Sequence, residues 1–375
     1  MVKKQKRWIL WAAVICLVVG GYYLLGGVPE NIATTAAEPA SETQGADPDE
    51  CDECLDGTYY SLFDMDSEEH IEHMSRVVNE EDEIITSDNK HYKIMDLDGQ
   101  NAHCQVVEDN IGYRYVPAKD QPAAASAGEE KPYQAVAIYA THTDESYVPT
   151  SGTESKEGGG DILDVAGALA QTLEEQGVTV VHSDNIHDPH DKNAYQRSRE
   201  TAAELLQEAP AIMIDVHRDG VPDPEYYETE LDGKEVTQIR LVVGRQNENS
   251  AANLEFAEKM KAYYDEVKPG LIKSIYMAKG NYNQDMAPHS ILLEIGTHTN
   301  TLEEAEAGAE EFAQVLPEFL GIANNETASS QQFISNAPAA QEEKGMSGTG
   351  KFLLLAAGVL IIGGAAVVFM NKKGQ

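Results

Sequence analysis

Cysteine and basic residues are scarce in this chain. Its 375 residues include only 4 Cys, fewer than the disulfide framework of a small secreted domain requires. The 27 Lys and Arg residues are outnumbered by 64 Asp and Glu residues, which gives a formal net charge of −37. Phosphate binding draws its affinity from Lys and Arg, so this balance argues against nucleic acid as a partner. The exposed surface is instead expected to be soluble and self-repelling.

Charged residues are also missing from two long stretches. Residues 8–27 are nearly uncharged and follow the basic end 1–7, and residues 352–370 are uncharged and precede the lysine-bearing tail 371–375. Each stretch is long enough for a membrane helix, which needs about 20 apolar residues. No sortase-type sequence precedes the second stretch. We therefore predict two transmembrane helices, with both termini in the cytoplasm and 28–350 outside; cleavage after the first helix stays open.

The sequence between these stretches divides by composition. Residues 28–55, 116–132 and 323–350 are polar and rich in small residues without periodicity, so we predict that they are linkers. Short alternating runs separated by turn residues predict a small β-rich domain over 56–115. From 133 to 322, strands alternate with amphipathic helices, which predicts a doubly wound α/β domain with a mainly parallel sheet. The predicted strands there are 135–141, 178–182, 211–216, 238–243, 272–277 and 291–295, and the predicted helices are 161–175, 195–207, 251–267 and 302–320.

Three of the predicted strands end in groups that can bind a metal. The apolar run that begins at Val136 stops at the letters THTDESY, the run at 211–216 is followed by His217, and the run at 291–295 contains Glu294. In open α/β sheets, ligands and chemistry collect beyond the carboxyl ends of parallel strands. We therefore expect the side chains at these three ends to form one site.

The residue types fit a zinc hydrolase. Such sites use three His or carboxylate ligands and leave one position for a water molecule, whose pKa falls to about 7. His142 and Glu145 could bind one ion from a single turn, and His217 could complete the set. Glu294 would then serve as the general base that takes a proton and returns it to the leaving nitrogen. A buried Glu294 without such a role would be costly.

Other clusters offer alternatives. His182, His187 and His190 could also bind metal, but the Asp- and Pro-rich stretch around the last two favours substrate-loop or surface residues. Arg197 and Arg199 could hold a substrate carboxylate by bidentate hydrogen bonds, and ordinary pairing on a helix surface explains them equally well. The C-x-x-C…H-x-x-H pattern has the residue types of a zinc site, yet it lacks finger-like context, and a local disulfide or free thiols are favoured. Its members are Cys51, Cys54, His70 and His73.

Four motifs together resemble the stage II sporulation protein P family. They are IYATHTDESYVPTSG, the HD…AYQRSRETAAELL segment at 187–206, IDVHRDG at 214–220 and LLEIGTHTNT at 292–301, and they occur in the family's order over about 133–322. The resemblance implies a phosphorylase/hydrolase-like fold similar to zinc-dependent N-acetylmuramoyl-L-alanine amidases. It implies cleavage of the muramoyl–L-alanine amide in peptidoglycan during forespore engulfment, with endopeptidase action on crosslinks left open. Stage II sporulation proteins D and M are the implied partners.

The resemblance also implies roles for single residues. His142 and His217 match the family's metal histidines, Glu294 its catalytic glutamate, and Asn300 the asparagine that closes the last motif. We prefer Glu145 as the remaining zinc ligand, and two later acidic residues, Glu157 and Asp161, stay open. The candidates for substrate binding are Arg218, Asn300 and Arg199.

Two competing functions remain. A zinc carboxypeptidase-like hydrolase shares the H-x-x-E pattern with a distant His, and it would release a terminal amino acid instead of a stem peptide. A non-catalytic wall-binding scaffold would use the same histidines only for hydrogen bonding, and it would contain no metal.

Overall fold

The computed structural model describes residues 53–54, 57–112 and 135–322. These residues form thirteen strands and five α-helices. The strands are β1 Tyr60–Asp64, β2 His70–Met74, β3 Glu83–Ile85, β4 His91–Asp98, β5 Asn101–Glu108, β6 Ala135–Tyr139, β7 Thr179–His182, β8 Ile212–Asp219, β9 Glu228–Leu231, β10 Lys234–Thr237, β11 Ile239–Gly244, β12 Ile272–Ala278 and β13 Ser290–Thr297. The helices are α1 Val148–Ser151, α2 Ile162–Glu175, α3 Ala194–Leu205, α4 Ser250–Val267 and α5 Leu302–Phe319.

Eleven of the strands form one sheet in the order β2-β1-β5-β4-β3-β12-β11-β13-β8-β6-β7, and β9 and β10 form a separate hairpin. The strands β7, β6, β8 and β13 run parallel, β11 is antiparallel to β13, and β12 is parallel to β11. The predicted α/β class is confirmed. The sheet as a whole is mixed, because four further pairs are antiparallel: β1 with β2, β3 with β12, β3 with β4, and β4 with β5.

The central strands are buried along their full length. Every residue of β6, β8, β11 and β13 is buried, as expected for strands covered on both faces. On α2, apolar side chains recur at helical spacing and are buried, as Ile162, Val165 and Leu169 illustrate. Helix α5 begins with a capping box between Thr301 and Glu304, a motif in which the N-cap alone contributes about 1 kcal/mol.

The first five strands continue this sheet. Strand β3 pairs antiparallel with β12, and Ile84 lies opposite Tyr276. One hydrophobic cluster joins Leu62 and Ile84 to Val242 and Leu292, so side chains from both regions share a core. The strands predicted to form a small β-rich domain over 56–115 are therefore hydrogen-bonded into the sheet of the predicted catalytic domain. The domain boundaries themselves stay predictions.

The membrane predictions concern other residues. Among the residues that the structure describes, none of the helices combines the length and apolarity needed to cross a bilayer. The predicted spans 8–27 and 352–370, and the predicted linkers 116–132 and 323–350, lie outside the described residues.

Candidate metal and hydrolytic site

The turn after β6 is fixed by hydrogen bonds that involve its own backbone amides and carbonyls. The amide of Thr141 donates to the carboxylate of Asp215 at 2.7 Å, and the amide of Gly160 donates to the carbonyl of Thr143 at 2.7 Å. A Cβ atom on Gly160 would lie 2.2 Å from the carbonyl oxygen of Glu145. Only glycine lets the chain approach this closely. The turn thus places the side chains of His142 and Glu145 at the carboxyl end of the sheet.

The predicted ligands His142, Glu145 and His217 meet at one carboxylate oxygen. The Nδ1 atom of His142 lies 3.2 Å from Oε1 of Glu145, and Nδ1 of His217 lies 3.3 Å from the same oxygen. All three side chains are buried. Ligand atoms around one tetrahedral zinc, each about 2.1 Å from the ion, are roughly 3.4 Å apart. The observed separations match that spacing, and the assignment as ligands stays a prediction.

A second carboxylate lies on the far side of His217. Its Nε2 is 3.1 Å from Oδ1 of Asp215, but the pair does not have the geometry of a hydrogen bond. Burial lowers the pKa of His217, but Asp215 and Glu145 outweigh burial and raise it well above its usual value. Burial raises the pKa of Glu145, but His217, His142 and Arg218 together hold it well below its usual value. Both shifts favour the charged forms, a protonated His217 beside an ionised Glu145.

Two further residues form a group with His142 and Glu145, and His217 is not part of that group. One donor atom from each of Glu53, His142, Glu145 and His190 lies within 4.8 Å of the others, so this group could hold a metal ion. The His190 side chain is 7% exposed and contacts Oε2 of Glu53 at 3.3 Å and Asp144 at 3.5 Å. His190 lies on the loop between β7 and α3, with its ring 3.7 Å from that of His142, and its role as a substrate-loop residue stays a prediction. Glu53 lies in a stretch that was predicted to be linker.

The predicted base Glu294 is buried beside these groups. It sits on β13 opposite His217 on β8, and its Oε1 accepts a hydrogen bond from the guanidinium of Arg76 at 2.6 Å. Burial raises the pKa of Glu294 to about 7, against the opposing effect of Arg76. A cavity of about 10 Å³ lies between Glu294, His142 and Glu145, with Glu53, Ser75, Arg76 and Arg218 completing its wall. That volume admits about one water molecule.

The three predicted substrate-binding residues have different surroundings. Arg218 lines the cavity, and its guanidinium donates to Glu53 at 2.8 Å. Asn300 instead closes the turn after β13, because its Oδ1 accepts from the amide of Thr297 at 2.9 Å. Arg199 makes a bidentate ion pair with Asp285, at 2.8 and 2.6 Å. These contacts give Asn300 and Arg199 a structural role, and their contact with substrate stays a prediction.

The family model described as stage II sporulation protein P matches residues 53–317, which is more than half of the chain. The chain belongs to the stage II sporulation protein P family. Stage II sporulation protein P of Bacillus subtilis (strain 168) is 28% identical to it over an alignment of 232 residues, and the match covers 57% of this chain and 57% of that protein. The match thus spans little more than half of the relative's length.

Three solved structures resemble this family member weakly. An N-acetylmuramoyl-L-alanine amidase from Clostridium difficile 630 is 17% identical with a TM-score of 0.30, and the match covers 56% of this chain and 100% of that one. The CwlD amidase from Clostridioides difficile in complex with the GerS lipoprotein is 12% identical with a TM-score of 0.29, and the match covers 54% of this chain and 100% of that one. Cwp6 from Clostridium difficile is 14% identical with a TM-score of 0.32, and the match covers 51% of this chain and 28% of that one. Scores this low carry no argument about the chain.

The other candidate metal ligands make structural contacts or are exposed. His187 is buried, and its ring nitrogens contact the carbonyl of Ala140 at 2.8 Å and the hydroxyl of Thr201 at 2.9 Å. It lies on the loop after β7, as expected, but it is buried and not at the surface. Glu157 is exposed, and the Asp161 carboxylate accepts from the Tyr147 amide at 3.0 Å.

The remaining His pair lies on β2. Nε2 of His70 is 3.2 Å from Nδ1 of His73, which also contacts the hydroxyl of Ser61 at 3.0 Å. Among the described residues, the only cluster of three or more metal-binding groups is the one around Glu145. The predicted pairing of Cys51 lies outside the described residues.

Proposed function

We propose that this chain is a zinc-dependent peptidoglycan hydrolase that cleaves the amide between N-acetylmuramic acid and L-alanine. The observation that carries the proposal is the approach of His142 and His217 to one carboxylate oxygen of Glu145. The buried carboxylate of Glu294 lies in the wall of the cavity that His142 and Glu145 also line. Membership of the stage II sporulation protein P family supports a role in sporulation. The resemblance of the motifs to zinc amidases supports the choice of bond.

The side chains present fit a zinc ion. Imidazole nitrogens and carboxylate oxygens are zinc ligands, and the carboxylate of Asp215 lies 3.1 Å from Nε2 of His217. His142, Glu145 and His217 would hold the ion, and Glu53 and His190 are close enough to replace or supplement them. When bound, zinc supplies Lewis acidity that polarises a carbonyl and lowers the pKa of water.

The chain's own residues would manage the proton. Glu294 takes a proton from a water molecule while the water oxygen bonds to the carbonyl carbon of the amide. It then delivers that proton to the nitrogen of L-alanine as the carbon–nitrogen bond breaks. One water is consumed, and a carboxylic acid and an amine are formed. The pKa of about 7 for Glu294 suits a group that both accepts and returns a proton near neutral pH.

Two buried arginines, Arg76 and Arg218, give the site positive charge around these acids. Arg218 lies in the cavity wall, and its backbone amide donates to Oε2 of Glu145 at 3.0 Å. Its guanidinium is bonded to Glu53, whose carboxylate has the chemistry of a substrate carboxylate. A peptide stem carries such groups, and of the three candidates only Arg218 lines the cavity, so we propose it for substrate binding.

Product analysis tests the proposed reaction. The full chain in detergent is loaded with zinc, its metal content is measured, and purified peptidoglycan is digested and analysed by mass. About one zinc per chain with stem peptides that begin at a free L-alanine supports the amidase. Release of single terminal amino acids would favour the carboxypeptidase-like alternative, and absence of both metal and fragments would favour the scaffold.

The cellular setting is a separate part of the proposal. We propose a membrane-tethered protein with residues 28–350 outside the cytoplasm and with stage II sporulation proteins D and M as partners. The uncharged stretches 8–27 and 352–370 support the tether, and the family resemblance supports the partners. Protease treatment of intact protoplasts tests the orientation, because only the predicted outer region should be cleaved. Co-purification from sporulating cells tests the partners.

A further inference from the structure

Arg76 enters the site from the part of the chain that was predicted to be a separate domain. It follows β2, and its side chain is 8% exposed where it contacts Glu294, itself 6% exposed. The guanidinium also lies 5.0 Å from the ring centroid of Tyr282, which is within the range of a cation–π contact. Arg76 is therefore held both by a carboxylate and by an aromatic face.

The backbone around Arg76 is fastened to the carboxyl end of β8. The amide of Ser75 donates to Oδ1 of Asp219 at 3.0 Å, and its hydroxyl donates to the same oxygen at 2.7 Å. Arg76 itself forms an isolated antiparallel β-bridge with Glu53. Since β8 also carries His217, these bonds fix Arg76 relative to the predicted metal ligands.

The contact with Arg76 leaves the two oxygens of Glu294 unequal. Oε1 accepts the guanidinium hydrogen bond at 2.6 Å, whereas Oε2 is buried and has no hydrogen-bond partner among the described residues. A buried carboxylate with no cation beside it would carry a large desolvation cost, which Arg76 offsets. The hydrogen bond to Oε1 also restricts rotation of the carboxylate about its terminal torsion.

We propose that Arg76 is a positioning residue for the base: it holds Oε1 of Glu294 so that Oε2 stays available for proton transfer. This inference rests on the function proposed above. It gives the N-terminal strands a direct part in the chemistry, because the residue that orients the base comes from outside the motifs that define the hydrolytic site.

Two substitutions at Arg76 and one control test the inference in the full chain. Arg76→Met removes the cation, and Arg76→Lys keeps it without the planar guanidinium. Arg245→Met is the matched control, because Arg245 forms a comparable bridge to the N-terminal strands, 2.8 Å from Asp82, and does not line the cavity. Zinc content, thermal midpoint, kcat and KM on a soluble N-acetylmuramoyl peptide are measured for each.

A positioning role predicts a loss in kcat and none in KM. We expect Arg76→Met to lower kcat by about 100-fold, as small misplacements of catalytic groups do, with zinc content and KM unchanged. Arg76→Lys should recover part of the loss, and Arg245→Met should keep wild-type kcat. The inference is overturned if Arg76→Met keeps its kcat, if only KM rises, or if Arg245→Met loses as much.

Stability is tested separately, because removal of one partner from a buried ion pair can unfold a protein. The double variant Arg76→Met with Glu294→Gln should melt at a higher temperature than Arg76→Met alone, since it no longer buries an unpaired carboxylate. If Arg76→Met does not fold, the kcat of Arg76→Lys decides: wild-type kcat overturns the inference. An inactive wild-type chain with zinc bound would instead refute the proposed function.

Discussion

Glu294 and His217 lie directly opposite each other on the adjacent parallel strands β13 and β8. In a parallel pair, opposite residues project from the same face of the sheet. A predicted base and a predicted metal ligand are thus fixed by strand register, and a slip of one residue would separate them. Their separate roles lead to different expectations when each is replaced.

Replacement of the two residues should divide metal binding from catalysis. Glu294→Gln keeps the shape of the side chain, so we expect near-normal zinc content with activity reduced to background. His217→Ala removes a nitrogen from the centre, so both zinc and activity should be lost. Zinc content by mass spectrometry and peptidoglycan release measured on the same samples check this. Equal zinc loss in both variants would make Glu294 a ligand.

The two unexpected members of the cluster should affect zinc affinity. His190→Ala and Glu53→Gln each remove a donor atom that lies within 4.8 Å of the other three, so zinc should be lost to a chelator at a lower chelator concentration. His182→Ala is the control, because His182 precedes the same loop and contacts Asp184 at 3.3 Å. A chelator titration followed by mass spectrometry measures the affinities. Unchanged affinity in both variants would leave His142, Glu145 and His217 as the full set.

Gly160 should be intolerant of any side chain. A Cβ there would lie 2.2 Å from the carbonyl of Glu145 and 2.5 Å from that of Asp144, so Gly160→Ala must push the turn outward. We expect a loss of about 1–3 kcal/mol in the free energy of unfolding together with weaker zinc binding. Gly167→Ala is the control, because nothing lies within 4 Å of its Cβ position in α2, and it should stabilise by about 0.5–1 kcal/mol. Urea unfolding measures both, and equal stability of the two variants would contradict the predicted clash.

The buried thiol of Cys104 predicts a dependence of stability on alkaline pH. Burial raises the pKa of Cys104 to about 12, from an ordinary value of 9.0. The folded state therefore keeps its proton where the unfolded chain loses it, so this contribution is complete below about 9 and is lost as pH rises toward 12. Between these limits the loss is roughly 1.4 kcal/mol per pH unit.

Comparison with Cys104→Ala isolates this effect from other groups that titrate at high pH. The free energy of unfolding of the wild type should fall more steeply than that of the variant between pH 9 and pH 10.5, as measured by urea unfolding. Parallel curves for the two proteins would show that Cys104 ionises equally in the folded and unfolded states.

The sequence was sufficient to predict most elements of the α/β region. Apolar runs such as 272–277 and the helical spacing of 251–267 are local signals, and the observed elements are Ile272–Ala278 and Ser250–Val267. The hairpin of β9 and β10 was missed, although Asp232 and Gly233 have the positive φ values of 53° and 81° that an Asp-Gly hairpin turn adopts. The Asp-Gly dipeptide is the local sequence signal for this hairpin.

The candidate site was only partly predictable. His142, His217 and Glu294 follow or lie in strongly apolar runs, so strand ends identified them. Glu53 and Arg76 have no such context, because they reach the site through the pairing of β3 with β12 and through the contacts of Ser75 with Asp219. That pairing joins residues far apart in sequence, and no local pattern encodes it.

The same pairing has a practical consequence for fragments of this protein. A chain that began at residue 133 would lack β3, and β12 would become an edge strand with Ile275 and Met277 close to unpaired backbone groups. Long apolar edges of this kind recruit strands from other molecules and cause aggregation. Residues 83–85 therefore serve as a cover for this edge, and a fragment without them should be poorly soluble however complete its motifs are.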